Sequence, residues 1–115
     1  MRVVVMCACL LLGACVRAPS MSESEAAAFE AAASALLARG SSDDAASAWP
    51  AEIQALKPSS VRVTAEGIYV ETSSWFVQEA GLFVPRDSAA FVPAPGGDPE
   101  YKRLYGNVFS YRISG

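Results

Sequence analysis

The chain has 115 residues with nine basic and twelve acidic side chains, no histidine, and a mean hydropathy of +0.25. A net charge of −3 argues against a nucleic-acid groove, which needs clustered Lys and Arg to displace counterions, and supplies no polybasic patch for anionic headgroups. The length allows one hydrophobic core and not two.

The first element is a short apolar run. Arg2 precedes Val3 to Leu12, and small residues then lead to Cys15. A charged, an apolar and a small-residue region in that order form a secretory signal. Crossing a bilayer takes about 20 apolar residues, whereas 10–14 is typical of a signal core, so this run falls in the shorter class. Leu12-Gly13-Ala14-Cys15 resembles the lipobox of bacterial lipoproteins, in which a peptidase cuts before a diacylglyceryl-modified cysteine. The resemblance implies that residues 1–14 are a cleaved signal peptide, that Cys15 carries acyl chains, and that residues 15–21 tether a domain spanning 22–115. It further implies an outer-membrane anchor facing the periplasm, because Val16, not aspartate, follows the cysteine; the periplasmic face of the inner membrane is the alternative. Cys7 and Cys9 leave with the signal and Cys15 is consumed as a thioether. The exported domain is therefore expected to hold no disulfide, although an oxidising envelope would permit one.

Beyond the tether the composition changes partway. Alanine dominates between Val16 and Lys57, while β-branched and aromatic residues crowd together from Val61 to Ile113, so helix is expected first and strands second. Ser22-Glu23-Ser24-Glu25 has the form of a capping box, and Arg39-Gly40 reads as a helix end. Ala26, Phe29, Ala33, Leu36 and Leu37 form a thin apolar stripe, which predicts that this helix lies against a richer surface. A second short helix is expected from Asp44 to Trp49. Pro50 suits the first turn of a helical segment that places Trp49, Ile53 and Leu56 on one face, and Lys57-Pro58 ends it.

Val61 to Glu71 reads as a hairpin turning at Glu66-Gly67, with Val63 facing Val70, Thr64 facing Tyr69, and Arg62 paired with Glu71. Trp75 to Val84 reads as a second hairpin around Ala80-Gly81, apolar on both faces, so that both faces of the sheet need cover. Pro93 to Pro99 is a loop, with Asp98-Pro99-Glu100 able to start a helical turn, and Phe109, Tyr111 and Ile113 alternate as a last strand. The fold expected is α+β: an N-terminal helix and one or two short helices on an antiparallel sheet of four or five strands. The order of anchor, helices and sheet is similar to that of the small lipoproteins of the outer-membrane β-barrel assembly machinery; their Gly-Met-Thr helix-start motif has no counterpart here, and fold likeness does not transfer function.

Motifs that carry chemistry are missing. The commonest neutral-pH base and metal ligand, histidine, is absent, and neither Lys57 nor Lys102 follows a serine at the Ser-x-x-Lys spacing. There is no phosphate-cradling glycine loop and no EF-hand spacing. Asp43-Asp44 beside serines reads as a helix start. No catalytic, metal or cofactor residue is therefore expected, and Cys15 is the one modification site. Trp75, Tyr101, Tyr105 and Tyr111, with Arg103 and Arg112, are the residue types of protein interfaces, and equally of core positions with polar tips. These readings lead to a non-enzymatic envelope lipoprotein, structural or protein-binding, whose partners are the membrane and another envelope protein and not nucleic acid. The alternative is an acidic inhibitor or immunity protein directed at a basic envelope enzyme such as a cell-wall hydrolase, steered by charge. The acidic first helix is expected to turn from anionic headgroups, leaving the neutral, aromatic sheet half nearer the bilayer or a neighbouring protein.

Overall fold

The computed structural model describes residues 19–39, 49–93 and 96–114. The lipobox, Gly40, the Asp43-Asp44 pair and residues 44–48 of the expected second helix lie outside these. Helix α1 (Glu23–Arg39) starts at the capping box read from the sequence: the Glu25 amide donates to Ser22 Oγ (3.2 Å) and the Ser22 amide donates to Glu25 Oε1 (2.8 Å). Those bonds, the backbone one first, hold the Glu25 carboxyl below its ordinary range. The helix buries Ala26, Phe29, Ala32, Ala33 and Leu36, a stripe of mostly small side chains that lets it approach the sheet closely. Helix α2 (Ala51–Gln54) begins after Pro50, and the Leu56 and Lys57 amides continue its turn. Lys57 then takes a left-handed backbone (φ 51°) ahead of Pro58. Ile53 is fully buried, and Trp49 and Leu56 pack partly against the same core.

Five strands follow: β1 (Ser60–Val63), β2 (Gly67–Trp75), β3 (Gln78–Pro85), β4 (Glu100–Tyr105) and β5 (Val108–Ile113). They form one antiparallel sheet in the order β1-β2-β3-β5-β4, so the architecture is α+β. The inner face brings Ile68, Val70, Leu82, Val84 and Val108 against α1 and Ile53. Each such side chain contributes roughly 1.5–3 kcal/mol on leaving water. The outer face buries Tyr69, Phe83, Phe109 and Tyr111, with Phe91 packed over them. Asp87 makes that cover possible. Its carboxylate accepts from the Ala89 amide (3.1 Å) and its carbonyl from the Phe91 amide (3.1 Å), folding the segment after β3 into a turn that carries Phe91 back over the sheet.

Three expectations need correction. The first hairpin pairs Val61 with Val70 and Arg62 with Tyr69, two residues from the register expected, and turns at Ala65-Glu66. Thr64 decides this: its Oγ1 accepts from the Glu66 and Gly67 amides (3.2 and 3.3 Å), while Gly67 passes so close to β3 that a β-carbon would lie 2.2 Å from the Val84 carbonyl oxygen. A shift of two keeps every side chain on its face, which is why the hydrophobic pattern could not detect it. The second hairpin turns at Phe76-Val77, and Ala80-Gly81 lies within β3. Gly81 faces a bulge at Thr72, where a β-carbon would come within 2.0 Å of the Val70 carbonyl oxygen, so its function is close backbone approach and not a turn. Finally, Glu100 enters strand β4 opposite Arg112; the pairing with β5 overrides the helical start expected there.

Candidate functional site

The side chains with chemical potential on the outer face are engaged with one another. Arg62 Nη2 donates to Glu79 Oε2 at 2.7 Å, and the Tyr111 hydroxyl donates to the same oxygen at 2.5 Å. Arg62 therefore pairs with β3 and not with Glu71, whose carboxylate accepts from Ser59 (2.5 Å) and Ser60. Burial pushes the Glu79 carboxyl up, but the hydrogen bonds from Arg62 and Tyr111 outweigh it and hold the group below its ordinary range. Burial, with Glu79 beside it, drives the Tyr111 hydroxyl well above the usual tyrosine range. Tyr69 and Tyr101 share a 2.6 Å hydrogen bond across the face, and burial raises both. The rings of Tyr69, Phe83, Phe91, Tyr101, Phe109 and Tyr111 lie 4.4–5.3 Å from their neighbours, Arg62 lies over Tyr69, and Arg103 lies over Phe109. Among the described residues no buried side-chain nitrogen or oxygen lacks a hydrogen-bond partner. This arrangement braces a sheet face.

Apart from the β1 edge of the sheet, two places stand out among the described residues. One is the end of the β2–β3 hairpin. β1 stops at the Ser60–Glu71 pair and β5 at the Glu79–Ile113 pair, so the arm formed by the strand pairing of β2 with β3 from Thr72 to Gln78 extends past both neighbouring strands. At its end Trp75, Phe76 and Val77 are 55%, 90% and 73% exposed. Trp75 and Phe76 meet edge to face at 4.9 Å, and Phe76 has a left-handed backbone (φ 55°), a conformation that costs an ordinary residue about 1–2 kcal/mol. The other place is the β4 edge. Among the described residues it pairs with β5 alone, and a hollow of about 400 Å³ lies over the β4–β5 pair, walled by Glu100, Tyr101, Lys102, Tyr111 and Arg112.

The interface candidates from the sequence are thus divided. Tyr111 is core, Tyr101 is half-buried and bonded to Tyr69, and Arg103 covers Phe109 while donating to the Gly106 carbonyl. Trp75 is exposed at the hairpin end, Tyr105 is exposed on the β4 edge, and Arg112 borders the hollow. Phe76 and Val77 were missed, because a turn without Gly, Asn or Asp carries no turn signal. Cys15 lies outside the described residues. Of the acidic side chains on the two helices, Glu25 closes the helix cap, Glu30 accepts from the Asn107 amide at 3.4 Å, and Glu23 and Glu52 are exposed on separate helices. No group of three acidic or thiol side chains able to hold a metal occurs among the described residues. No protein-family model, curated protein or solved structure matches this chain.

Proposed function

We propose that this chain is a lipid-anchored lipoprotein of the bacterial envelope whose small α+β domain acts by contact, as a non-enzymatic structural or protein-binding accessory. The observation that carries the reading is the contrast on the sheet: the ionisable and aromatic groups of the outer face are engaged with each other, while among the described residues the outer side of β4 carries no further strand and a 400 Å³ hollow lies over the β4–β5 pair. An open edge can add an extended segment of a partner, with backbone hydrogen bonds giving affinity and the hollow receiving a side chain. Glu100, Lys102 and Arg103 along that edge discourage indiscriminate strand pairing, as charges on edge strands do. Leu12 to Cys15 supply the anchor, and several acyl chains at ~0.8 kcal/mol per buried CH₂ suffice for stable attachment. Val16 favours the outer membrane.

Two measurements test this. Intact-mass analysis of the membrane fraction should find an acylated Cys15 at the mature N-terminus, and Cys15→Ser should leave the membrane fraction; an unmodified cysteine there defeats the anchor. A photo-crosslinker at Lys102 or Tyr105 should give the same discrete envelope-protein adduct, and one at the exposed Ser24 of α1 should give none. Equal labelling from all three positions would remove the β4 edge as the contact surface. Ser110 is unsuitable as a probe because it is buried.

A further inference from the structure

We infer that the β2–β3 hairpin end is a membrane-inserting wedge: Trp75, Phe76 and Val77 enter the interfacial layer of the bilayer to which the chain is anchored. The inference rests on the lipid-anchor reading for its geometry, and on the hairpin itself for its chemistry.

The geometry is one of reach. Five residues, Val16 to Ser20, separate Cys15 from Met21, and Met21 already packs against the core. Five residues extend at most about 18 Å at ~3.3–3.6 Å each. A domain so tethered stays at the bilayer surface, and an exposed apolar hairpin end on it meets that surface at high local concentration. From Thr72 to Gln78 the arm carries no charge. The acids at its base are both engaged, Glu71 with Ser59 and Ser60 and Glu79 with Arg62 and Tyr111. Entry of the arm therefore desolvates no ionised side chain.

The chemistry is that of the membrane interface. Trp sits well at headgroup depth, where its ring is apolar and its N–H remains wet. Phe76 and Val77 supply the apolar contact beyond it. The left-handed backbone at Phe76 is strain held where glycine or asparagine would relieve it. Holding a 90%-exposed phenylalanine there has no return inside the domain, whose cores do not include it. The sequence supplies no polybasic surface, so beyond the acyl anchor the exposed apolar hairpin end is what the domain itself offers to a bilayer. The occupant is therefore the bilayer; an apolar pocket on another envelope protein is the competing outcome.

The test uses the full chain purified from membranes, carrying Trp49→Phe so that Trp75 is the sole indole, in vesicles of phosphatidylethanolamine and phosphatidylglycerol with a nitroxide on shallow acyl carbons. Intact mass reads lipidation separately. Trp75 emission should shift to shorter wavelength and be quenched by the nitroxide. Phe76→Ser with Val77→Ser should reverse most of the shift without altering the circular dichroism spectrum, since neither side chain reaches the core. An acylated protein whose Trp75 stays unshifted and unquenched overturns the wedge and leaves the anchor intact. If Cys15 is unmodified the anchor reading fails; Trp75 quenched on vesicle addition then upholds the wedge alone, and no quenching ends both. A shift that arises only when envelope proteins are added also overturns it, in favour of a protein pocket.

Discussion

Glu79 receives the Arg62 guanidinium and the Tyr111 hydroxyl on one oxygen, from positions 17 residues before and 32 residues after it in the chain. A carboxyl held below its ordinary value in the folded state contributes stability above the unfolded value, about 4.3, and that contribution is lost as pH falls through the folded value. Tyr69 and Tyr111 work in the opposite direction. Their folded values are raised, so their contribution is complete below about pH 10 and is lost as pH climbs above it. Urea unfolding should therefore show stability declining below about pH 4.3 and again above about pH 10. Glu79→Gln should flatten the acid limb while lowering stability at pH 7 by about 1–3 kcal/mol, because Arg62 and Tyr111 lose a charged acceptor. An unchanged acid limb would show that this carboxylate is not a source of it. Neither contact of Glu79 is visible in the sequence, where Arg62 reads more naturally as the partner of Glu71.

The second hairpin shows an element whose parts do not agree. Trp75-Phe76-Val77-Gln78 has strand composition, and Ala80-Gly81 holds the residue best suited to a turn, yet the chain reverses at Phe76-Val77. The bulge at Thr72 decides it: Gly81 is required where Val70 and Glu71 press against β3, and with Gly81 fixed in mid-strand the reversal falls four residues earlier. Phe76→Gly exchanges left-handed strain of about 1–2 kcal/mol for a glycine entropy cost of about 0.5–1 kcal/mol, so the domain should gain roughly 0.5 kcal/mol. A higher urea midpoint with an unchanged m-value would establish this. Under the proposed insertion, the same substitution should also reduce quenching of Trp75 by vesicles, so that binding is lost as stability is gained.

At the scale of the molecule the sheet serves two cores. Its inner face is closed by α1 and α2, its outer face by the Asp87–Phe91 turn. Because both clusters share β2, β3 and β5, removing either cover should destabilise the whole. Phe29→Ala should lower the unfolding free energy by about 3–5 kcal/mol, and Phe91→Ala should also destabilise, less because Phe91 is only half-buried. Each should retain a single transition seen together by circular dichroism and by Trp49 fluorescence. Two separate transitions would mean that the outer cluster folds independently.

The sequence by itself determined the local features: the capping box at Ser22 and Glu25, the end of α2 at Lys57-Pro58, the last strand, the thin alanine stripe of α1, and the need for cover on both sheet faces. Each follows from neighbouring residues or from a hydrophobic period, and the physics of caps, prolines and pleats acts over a few residues. The tertiary structure decided the rest. It set the register of the first hairpin, which a two-residue shift leaves invisible to face patterning, and it placed β4, whose Glu100, Lys102 and Arg103 hide a strand that exists because β5 supplies its hydrogen bonds. It gave Arg62 to Glu79, and it moved the second turn to Phe76-Val77. These outcomes depend on which backbones approach one another across the sheet. Such approach is governed by Gly67 and Gly81 making room and by long-range pairing, information that no window along the chain contains.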